Sequence, residues 1–141
     1  MPKVRTFFYG SYMNPAVLGE VDIVPDRFEM ARLAGYDIVI APRANLVPSP
    51  DQCVYGLLCE LTHPELARLY AHAQDVLGET YLPHPVLVET GQGRWQPALC
   101  YMAPAMEPGP AETAYVDRIL APAREHGFPG PYLARLERLR G

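Results

Sequence analysis

The residues with the clearest potential for chemistry lie at positions 9–13, Tyr-Gly-Ser-Tyr-Met, at the end of an apolar run over residues 4–9. This run predicts a short buried strand, and a glycine after a strand allows a sharp turn and close approach of a ligand. The backbone N–H groups of Gly10, Ser11 and Tyr12 would then line a concavity that binds an anion such as a carboxylate. The alternative is a turn with a structural role alone.

Histidine and cysteine residues offer weaker evidence for chemistry. The four histidines show no ligand spacing such as His-x-x-x-His, and the three cysteines include no Cys-x-x-Cys pair. Neither a metal site nor a disulfide framework is therefore predicted. The cysteines lie in apolar runs, which favours inert buried thiols. Ser11 has no histidine nearby in the sequence to activate it as a nucleophile. We predict no metal.

The composition excludes several classes of partner. The formal net charge is −4 at pH 7, whereas binding to nucleic acid requires a dense basic face. No apolar run reaches the roughly 18 residues of a membrane span. The apolar stretch that follows the first five residues is too short for a secretory signal. We expect a cytoplasmic protein that binds neither nucleic acid nor a membrane.

The pattern along the 141 residues predicts a single α+β domain. Besides the first strand, strands are predicted at residues 27–40, 53–61, 81–89 and 94–102. A glycine at position 35 suggests a bend or bulge in the second strand. The proline-rich segments 41–52 and 103–110 are predicted to be rigid loops.

Helices are predicted from capping signals and apolar periodicity. Thr62 and Glu65 form a capping box that starts a helix, and Gly78 ends it. The C-terminal part of the chain predicts two more helices. Pro122 should end or kink the first of these two.

Four segments in order resemble the γ-glutamylcyclotransferase-like (AIG2-like) family. They are Tyr-Gly-Ser-Tyr-Met-Asn-Pro at 9–15, Val-Tyr-Gly-Leu-Leu-Cys-Glu-Leu at 54–61, Cys-Tyr-Met at 100–102, and the closing helical region at 115–136. The resemblance covers nearly the whole chain. It implies a mixed β-barrel or sheet with about three flanking helices, no cofactor, and a monomer or homodimer.

The resemblance also implies a reaction. Enzymes of this family cyclise a γ-glutamyl group: the substrate's α-amine attacks its own γ-carbonyl, 5-oxoproline forms, and an amine or amino acid leaves. The small-molecule substrate could be glutathione, a γ-glutamyl amino acid or a γ-glutamyl amine. Because the attack is intramolecular, the enzyme mainly holds a productive conformer. It also supplies a base for the ammonium proton, which in the family is a glutamate at the end of the first amphipathic helix.

The sequence departs from the family at this glutamate. Counting back from Tyr81 places the position at Gln74, whereas counting along the helix from Leu69 places it at Ala73. Neither residue can transfer a proton as a carboxylate does. The resemblance, carried over without a gap, therefore predicts a missing base.

Two nearby carboxylates could replace the base. Glu79 follows Gly78, and a modest shift of this loop would bring it to the same pocket. Asp75 lies one residue past the matched position and has a shorter side chain. The alternative is that both are ordinary solvated carboxylates. We predict Glu79 as the base.

A second departure is Tyr12, which stands where the family has an asparagine. Its ring either selects a bulkier ligand or packs over the mouth of the pocket. The predicted substrate-binding residues are Tyr9, Gly10, Ser11, Tyr12, Met13, Gln74, Tyr81 and Tyr101. The alternative function is a catalytically inactive module of the same fold that binds a small carboxylate, because Gln74 replaces the base. A further alternative is an interaction protein that docks a partner through its proline-rich loops.

Overall fold

A computed structural model describes residues 2–140. Within them the strands are β1 (Lys3–Phe8), β2 (Glu29–Ile40), β3 (Ala44–Thr62), β4 (Leu82–Thr90) and β5 (Trp95–Met102). The α-helices are α1 (Pro15–Gly19), α2 (His63–His72), α3 (Thr113–Glu125) and α4 (Gly130–Leu139). A 3-10 turn covers Ser11–Met13, and a π-helical turn, Ala73–Leu77, extends α2. Among these residues no helix has both the length and the apolar character needed to cross a membrane.

The strands close into a barrel in the order β1-β3-β2-β4-β5. β5 returns to lie parallel to β1, with Thr6 opposite Leu99, and the other neighbouring strands are antiparallel. This mixed barrel confirms the predicted α+β fold class, although residues 2–140 contain four α-helices instead of about three. The C-terminal end of β1 is fully buried at Phe7 and Phe8, so the chain that follows it begins inside the molecule.

Residues 41–52, predicted to be a loop, lie mostly in a strand, and that prediction was wrong. β3 begins at Ala44 and pairs with β2 from that residue to Pro48. β1 pairs with β3 only over residues 57–62. The prolines at 48 and 50 therefore lie where β1 does not cover β3, and proline is tolerated at such an edge.

Three local predictions are confirmed. The register of β2 and β3 shifts at Gly35, whose φ of 85° favours glycine. The Thr62 hydroxyl accepts the N–H of Glu65 at 3.3 Å, and the Glu65 carboxylate accepts the N–H of Thr62 at 2.8 Å. Gly78 ends the π turn with a φ of 76°.

Helix α3 continues through Pro122 to Glu125, so of the two predicted effects of this proline, ending or kinking the helix, the first is wrong. A proline inside a helix has no N–H for the carbonyl four residues earlier, which here belongs to Arg118. The side-chain amide of Asn14 donates to this carbonyl at 3.0 Å, and its oxygen caps α1. Because the orphaned carbonyl has this partner, the interruption costs little.

Candidate functional site

Gly10 lies where the chain leaves β1 and enters the 3-10 turn. A Cβ atom at this position would lie 2.9 Å from the Cβ of Ala44 and 3.7 and 3.8 Å from the hydroxyls of Tyr101 and Tyr115. The φ of Gly10 is −115°, so the glycine is needed for close approach and not for a left-handed backbone. Ser11 and Tyr12 supply the first N–H groups of the turn, which no carbonyl of the turn accepts.

Tyrosine hydroxyls surround this loop. Tyr115 accepts the N–H of Ala44 at 2.9 Å, and Tyr81 donates to the carbonyl of the same residue. Tyr9 donates to the carbonyl of Tyr101 at 2.6 Å. The hydroxyl of Tyr101 is itself buried and has no hydrogen-bond partner among residues 2–140. Such a group is a candidate ligand contact, because buried polar groups are nearly always paired.

Burial sets the protonation of these tyrosines. Loss of solvent contact raises the pKa of Tyr101 well above its usual value, and neighbouring Cys100 and Tyr81 add to the effect. Burial likewise raises the pKa of Tyr81, with smaller effects from Tyr115, Tyr12 and Glu79. Both hydroxyls therefore keep their protons at neutral pH and can act as hydrogen-bond donors.

A narrow cavity lies beside the loop, which we call the aromatic cavity. Its volume of about 10 Å³ has room for about one water molecule. Three predicted binding residues, Tyr12, Tyr81 and Tyr101, are among its lining residues; the others are Thr6, Phe8, Leu66, Leu69, Tyr70 and Ala73. Two further predicted residues, Tyr9 and Met13, are fully buried and do not line the cavity.

The π turn explains the two possible positions of the missing base. They differ by one residue, and a π turn accommodates one residue more than an α-helical turn. The count along the helix, from Leu69 to Ala73, is unaffected, because the extra residue of the π turn lies after this segment. That count gives Ala73, which is 1% exposed and lines the aromatic cavity. Gln74 is exposed and does not line the cavity, so its predicted place in the pocket is wrong, and of the two counted positions only Ala73 faces the cavity.

The two candidate carboxylates lie outside the cavity wall. Asp75 is exposed. Glu79 is half-buried, and its backbone N–H donates to the carbonyl of Ala73 at 3.0 Å. Burial is the main cause of the raised pKa of Tyr81, and the Glu79 carboxylate is close enough to add a smaller effect. Glu79 thus lies at the margin of the site and does not line the cavity.

Three residues that the sequence did not point to lie behind Tyr12. Its hydroxyl is 3.0 Å from Nδ1 of His72 and 3.3 Å from the carbonyl of Leu69. Nε2 of His72 is 2.9 Å from one carboxylate oxygen of Glu20, and Arg118 donates to the other at 2.6 Å. Hydrogen bonds from Arg118 and then His72 lower the pKa of Glu20. These residues are separated by 46 or more positions in the chain, so no local spacing could have revealed them.

Arg43 is a fourth residue that the sequence reasoning missed. Its guanidinium carbon lies 4.9 Å above the ring of Tyr115, and its Nε donates to the carbonyl of Leu77 at 3.2 Å. This places a half-buried cation next to Ala44. Ala44 packs against Gly10 in the loop formed by residues 10–13, which we call the Gly10 loop. A positive charge here favours a ligand that carries a carboxylate.

Other surfaces of the protein are less suited to this chemistry. A wider groove of about 360 Å³ contains none of the predicted site residues; it is lined by Arg5, Asp26, Arg27, Glu29, Leu58, Cys59, Glu60 and Gln96. Its lining carries charges of both signs. Within residues 2–140, no group of three or more His, Cys, Asp or Glu side chains could hold a metal ion.

Comparisons with known proteins identify relatives of this arrangement. The model of the family described as "Gamma-glutamyl cyclotransferase, AIG2-like" matches residues 6–118. These bounds include the end of β1, the Gly10 loop, the strands β2 to β5 and the first part of α3. No curated protein sequence matches the chain significantly.

Solved structures share the fold at low sequence identity. A structure described as a gamma-glutamyl cyclotransferase has a TM-score of 0.85 and 22% identity, over 96% of this chain and 87% of that chain. An uncharacterized protein from Homo sapiens has a TM-score of 0.85 and 21% identity, over 97% and 88%. YkqA from Bacillus subtilis has a TM-score of 0.79 and 25% identity, over 98% of this chain and 54% of that longer chain.

Proposed function

The chain belongs to the γ-glutamyl cyclotransferase, AIG2-like family, and on this premise we propose that it cyclises a γ-glutamyl group to 5-oxoproline. The substrate is a small γ-glutamyl compound, and the leaving group is an amine or an amino acid. The substrate binds between the Gly10 loop and the aromatic cavity. No cofactor takes part in this reaction.

The observation that carries the proposal is the unpaired hydroxyl of Tyr101. An unsatisfied buried hydroxyl costs about 1–3 kcal/mol, so its position favours a polar ligand group. It lies 3.7 Å from the point where a Cβ of Gly10 would be, so the glycine keeps side-chain atoms out of the space in front of this hydroxyl. A γ-glutamyl compound offers a carboxylate, an ammonium and an amide carbonyl for this space.

The remaining residues support the same ligand. The N–H groups of Ser11 and Tyr12 and the guanidinium of Arg43 suit the α-carboxylate. The protonated hydroxyl of Tyr101, which has no partner among residues 2–140, can donate to the γ-carbonyl oxygen as negative charge develops on it. Holding both ends of the substrate brings its amine to its own carbonyl, which is the main requirement of an intramolecular attack.

The aromatic cavity must widen to admit the substrate, because a γ-glutamyl group is much larger than one water molecule. Tyr70 is the wall residue best placed to move, since it is half-buried. Its hydroxyl is engaged in no hydrogen bond within residues 2–140, unlike those of Tyr12 and Tyr81. We therefore place the entrance to the cavity at Tyr70.

The experiment is an assay of 5-oxoproline release from glutathione, γ-glutamyl amino acids and γ-glutamyl amines by the purified protein. Gly10→Ala should weaken substrate binding at least tenfold, because its Cβ would fill the space before Tyr101 and press on Ala44. Gly19→Ala is the matched control, since no atom lies within 4 Å of its Cβ position. Equal binding by both variants would exclude the Gly10 loop as the site.

The second candidate function is binding without catalysis. It is favoured by Ala73, which leaves the aromatic cavity without a carboxylate among the described residues. Calorimetry with the same compounds separates the two candidates. Binding with 5-oxoproline release supports the enzyme, whereas binding without release supports a module that holds a small γ-glutamyl compound.

A further inference from the structure

Tyr12, His72 and Glu20 form a chain of hydrogen bonds that ends at the aromatic cavity. Tyr12 lines the cavity and comes from the 3-10 turn, His72 is the last residue of α2, and Glu20 caps α1. The two links measure 3.0 and 2.9 Å. The side chain of His72 is 7% exposed, so the middle of the chain is shielded from water. A hydroxyl, an imidazole and a carboxylate in this order can move a proton.

The partners determine which ring nitrogen of His72 carries the proton. The carboxylate of Glu20 only accepts, because hydrogen bonds from Arg118 and His72 hold its pKa below the usual value. Nε2 therefore carries a hydrogen and donates to Glu20. In neutral His72, Nδ1 is then free to accept the hydroxyl proton of Tyr12.

The same contacts also accommodate His72 when a second proton is bound to its ring, at Nδ1. When His72 is an imidazolium, Nδ1 donates to the oxygen of Tyr12. The hydroxyl hydrogen of Tyr12 then turns to the carbonyl of Leu69, 3.3 Å away. Both protonation states are thus fully hydrogen-bonded without movement of a backbone atom, and this is the property that a proton relay needs.

The hydrogen-bonded chain of Tyr12, His72 and Glu20, which we call the relay, lies where the family's base is missing. Ala73, which occupies that position, follows His72 in the chain and lines the same cavity as Tyr12. Glu79 does not line this cavity. A hydroxyl backed by a buried imidazole is therefore better placed than Glu79 to exchange protons with a bound substrate.

We propose that Tyr12 is the acid–base residue of the site, with His72 as its proton store and Glu20 as the group that orients His72. This proposal rests on the cyclotransfer proposed above and names its proton acceptor. Tyr12 is the catalytic residue, since it lines the cavity proposed for the substrate. His72 and Glu20 are positioning residues that act through it.

The proton balance of the reaction needs no other reactant. The α-ammonium of the substrate has three protons and the lactam nitrogen keeps one, so two protons leave this nitrogen. The leaving nitrogen has one proton in the amide and three in the released ammonium. The relay carries one proton at a time. The oxygen of Tyr12 takes the first proton of the α-ammonium while passing its own to Nδ1, the free amine forms the new C–N bond, and the relay returns that proton to the leaving nitrogen as the old C–N bond breaks. The extra proton on the lactam nitrogen then passes through the same relay to the released amine, which becomes the ammonium.

Charged and titratable groups from several elements surround His72. Tyr12 of the 3-10 turn and Glu20 at the end of α1 both face the His72 ring. Arg118 of α3 is connected to this ring through Glu20. Arg68, one turn earlier on α2, donates to the carbonyls of the two residues after Glu20. The relay requires that Nδ1 of His72 carries no proton when the substrate binds, so turnover should fall as the pH is lowered.

The test compares turnover, ligand affinity and melting temperature of the full chain. Tyr12→Phe should lower kcat about a hundredfold or more, as loss of acid–base catalysis does, with a near-unchanged dissociation constant. Tyr132→Phe is the matched control, because it removes a buried hydroxyl in α4 that lies outside the site. In Glu20→Gln the acid limb of the pH profile should move to lower pH, because the imidazolium loses its carboxylate. A purely structural network would change the melting temperature and leave this limb in place.

The outcomes separate this proposal from the one on which it rests. An absence of 5-oxoproline from every substrate overturns the proposed cyclotransfer. Release that survives Tyr12→Phe within twofold overturns the relay alone. An independent measurement is the ¹⁵N spectrum of the His72 ring at neutral pH, where we expect the Nε2–H form. The opposite tautomer would overturn the relay whether or not turnover is observed.

Discussion

Replacing Tyr101 with phenylalanine should make the protein more stable and its ligand binding weaker. The hydroxyl of Tyr101 is buried and has no partner among residues 2–140. The ring stacks on Tyr9 with centroids 4.8 Å apart, and a phenylalanine ring keeps this contact. The hydrogen bond from Tyr9 goes to the main-chain carbonyl of residue 101, so it survives the substitution too.

The expected changes in stability and in ligand affinity both follow from the loss of the Tyr101 hydroxyl. An unpaired buried hydroxyl costs about 1–3 kcal/mol, and we expect Tyr101→Phe to recover about 1 kcal/mol. For a chain of this length, that raises the melting temperature by about 3–5 °C. Loss of one hydrogen bond to the substrate should weaken binding about tenfold, which corresponds to about 1.4 kcal/mol.

The assays are thermal unfolding of the free protein and calorimetry with a γ-glutamyl compound. Tyr132→Phe provides the comparison, because that hydroxyl is also buried and unpaired within the described residues. It should raise the melting temperature without changing the affinity. A Tyr101→Phe protein that is less stable, or that binds the ligand as tightly as the parent, would refute the reasoning.

Three further predictions concern other parts of the fold. Asn14→Ala should destabilise the protein by about 1–2 kcal/mol, measured by urea unfolding, because the helix cap and the partner of the Arg118 carbonyl are both lost. Asn14→Asp keeps the cap and loses only the second contact, so it should destabilise the protein less. Glu20 has a lowered pKa, so its stabilisation is present at neutral pH and lost as pH falls below about 4.5. Glu20→Gln should flatten this acid dependence in urea titrations, and an unchanged slope would contradict it. Tyr70→Ala should speed ligand association in stopped-flow fluorescence; an unchanged rate would place the entrance elsewhere.

Local patterns predicted the elements whose causes are local. The capping box at Thr62 and Glu65 and the bulge at Gly35 depend on residues that are adjacent in the chain, and both were read correctly. Pro122 shows the limit of such reasoning. Its effect on α3 depends on Asn14, more than a hundred residues away, whose amide replaces the missing donor.

The site was predicted only in part for the same reason. The Gly10 loop follows a strand, and its surroundings of Tyr81 and Tyr101 came from the family resemblance. The base position was uncertain by one residue because counting cannot detect a π turn. Arg43 was missed because it lies in a segment predicted to be a loop, whereas β3 brings the next residue, Ala44, against Gly10.

The two departures from the family, Tyr12 and Ala73, line one cavity and are best understood as a pair. By the count along the helix, an alanine stands where a glutamate is expected from the family, and a tyrosine brings to the same cavity a hydroxyl that is backed by His72. If the relay replaced the glutamate, the exchange should be reversible. Tyr12→Asn alone should abolish turnover, and adding Ala73→Glu should restore a measurable part of it, because the smaller asparagine leaves room for the new carboxylate. Ala73→Glu in the presence of Tyr12 should instead destabilise the protein, since a charge would be buried in about 10 Å³ of free space. Restoration in the double variant would show that the two positions share one role, and an inactive but folded double variant would show that they do not.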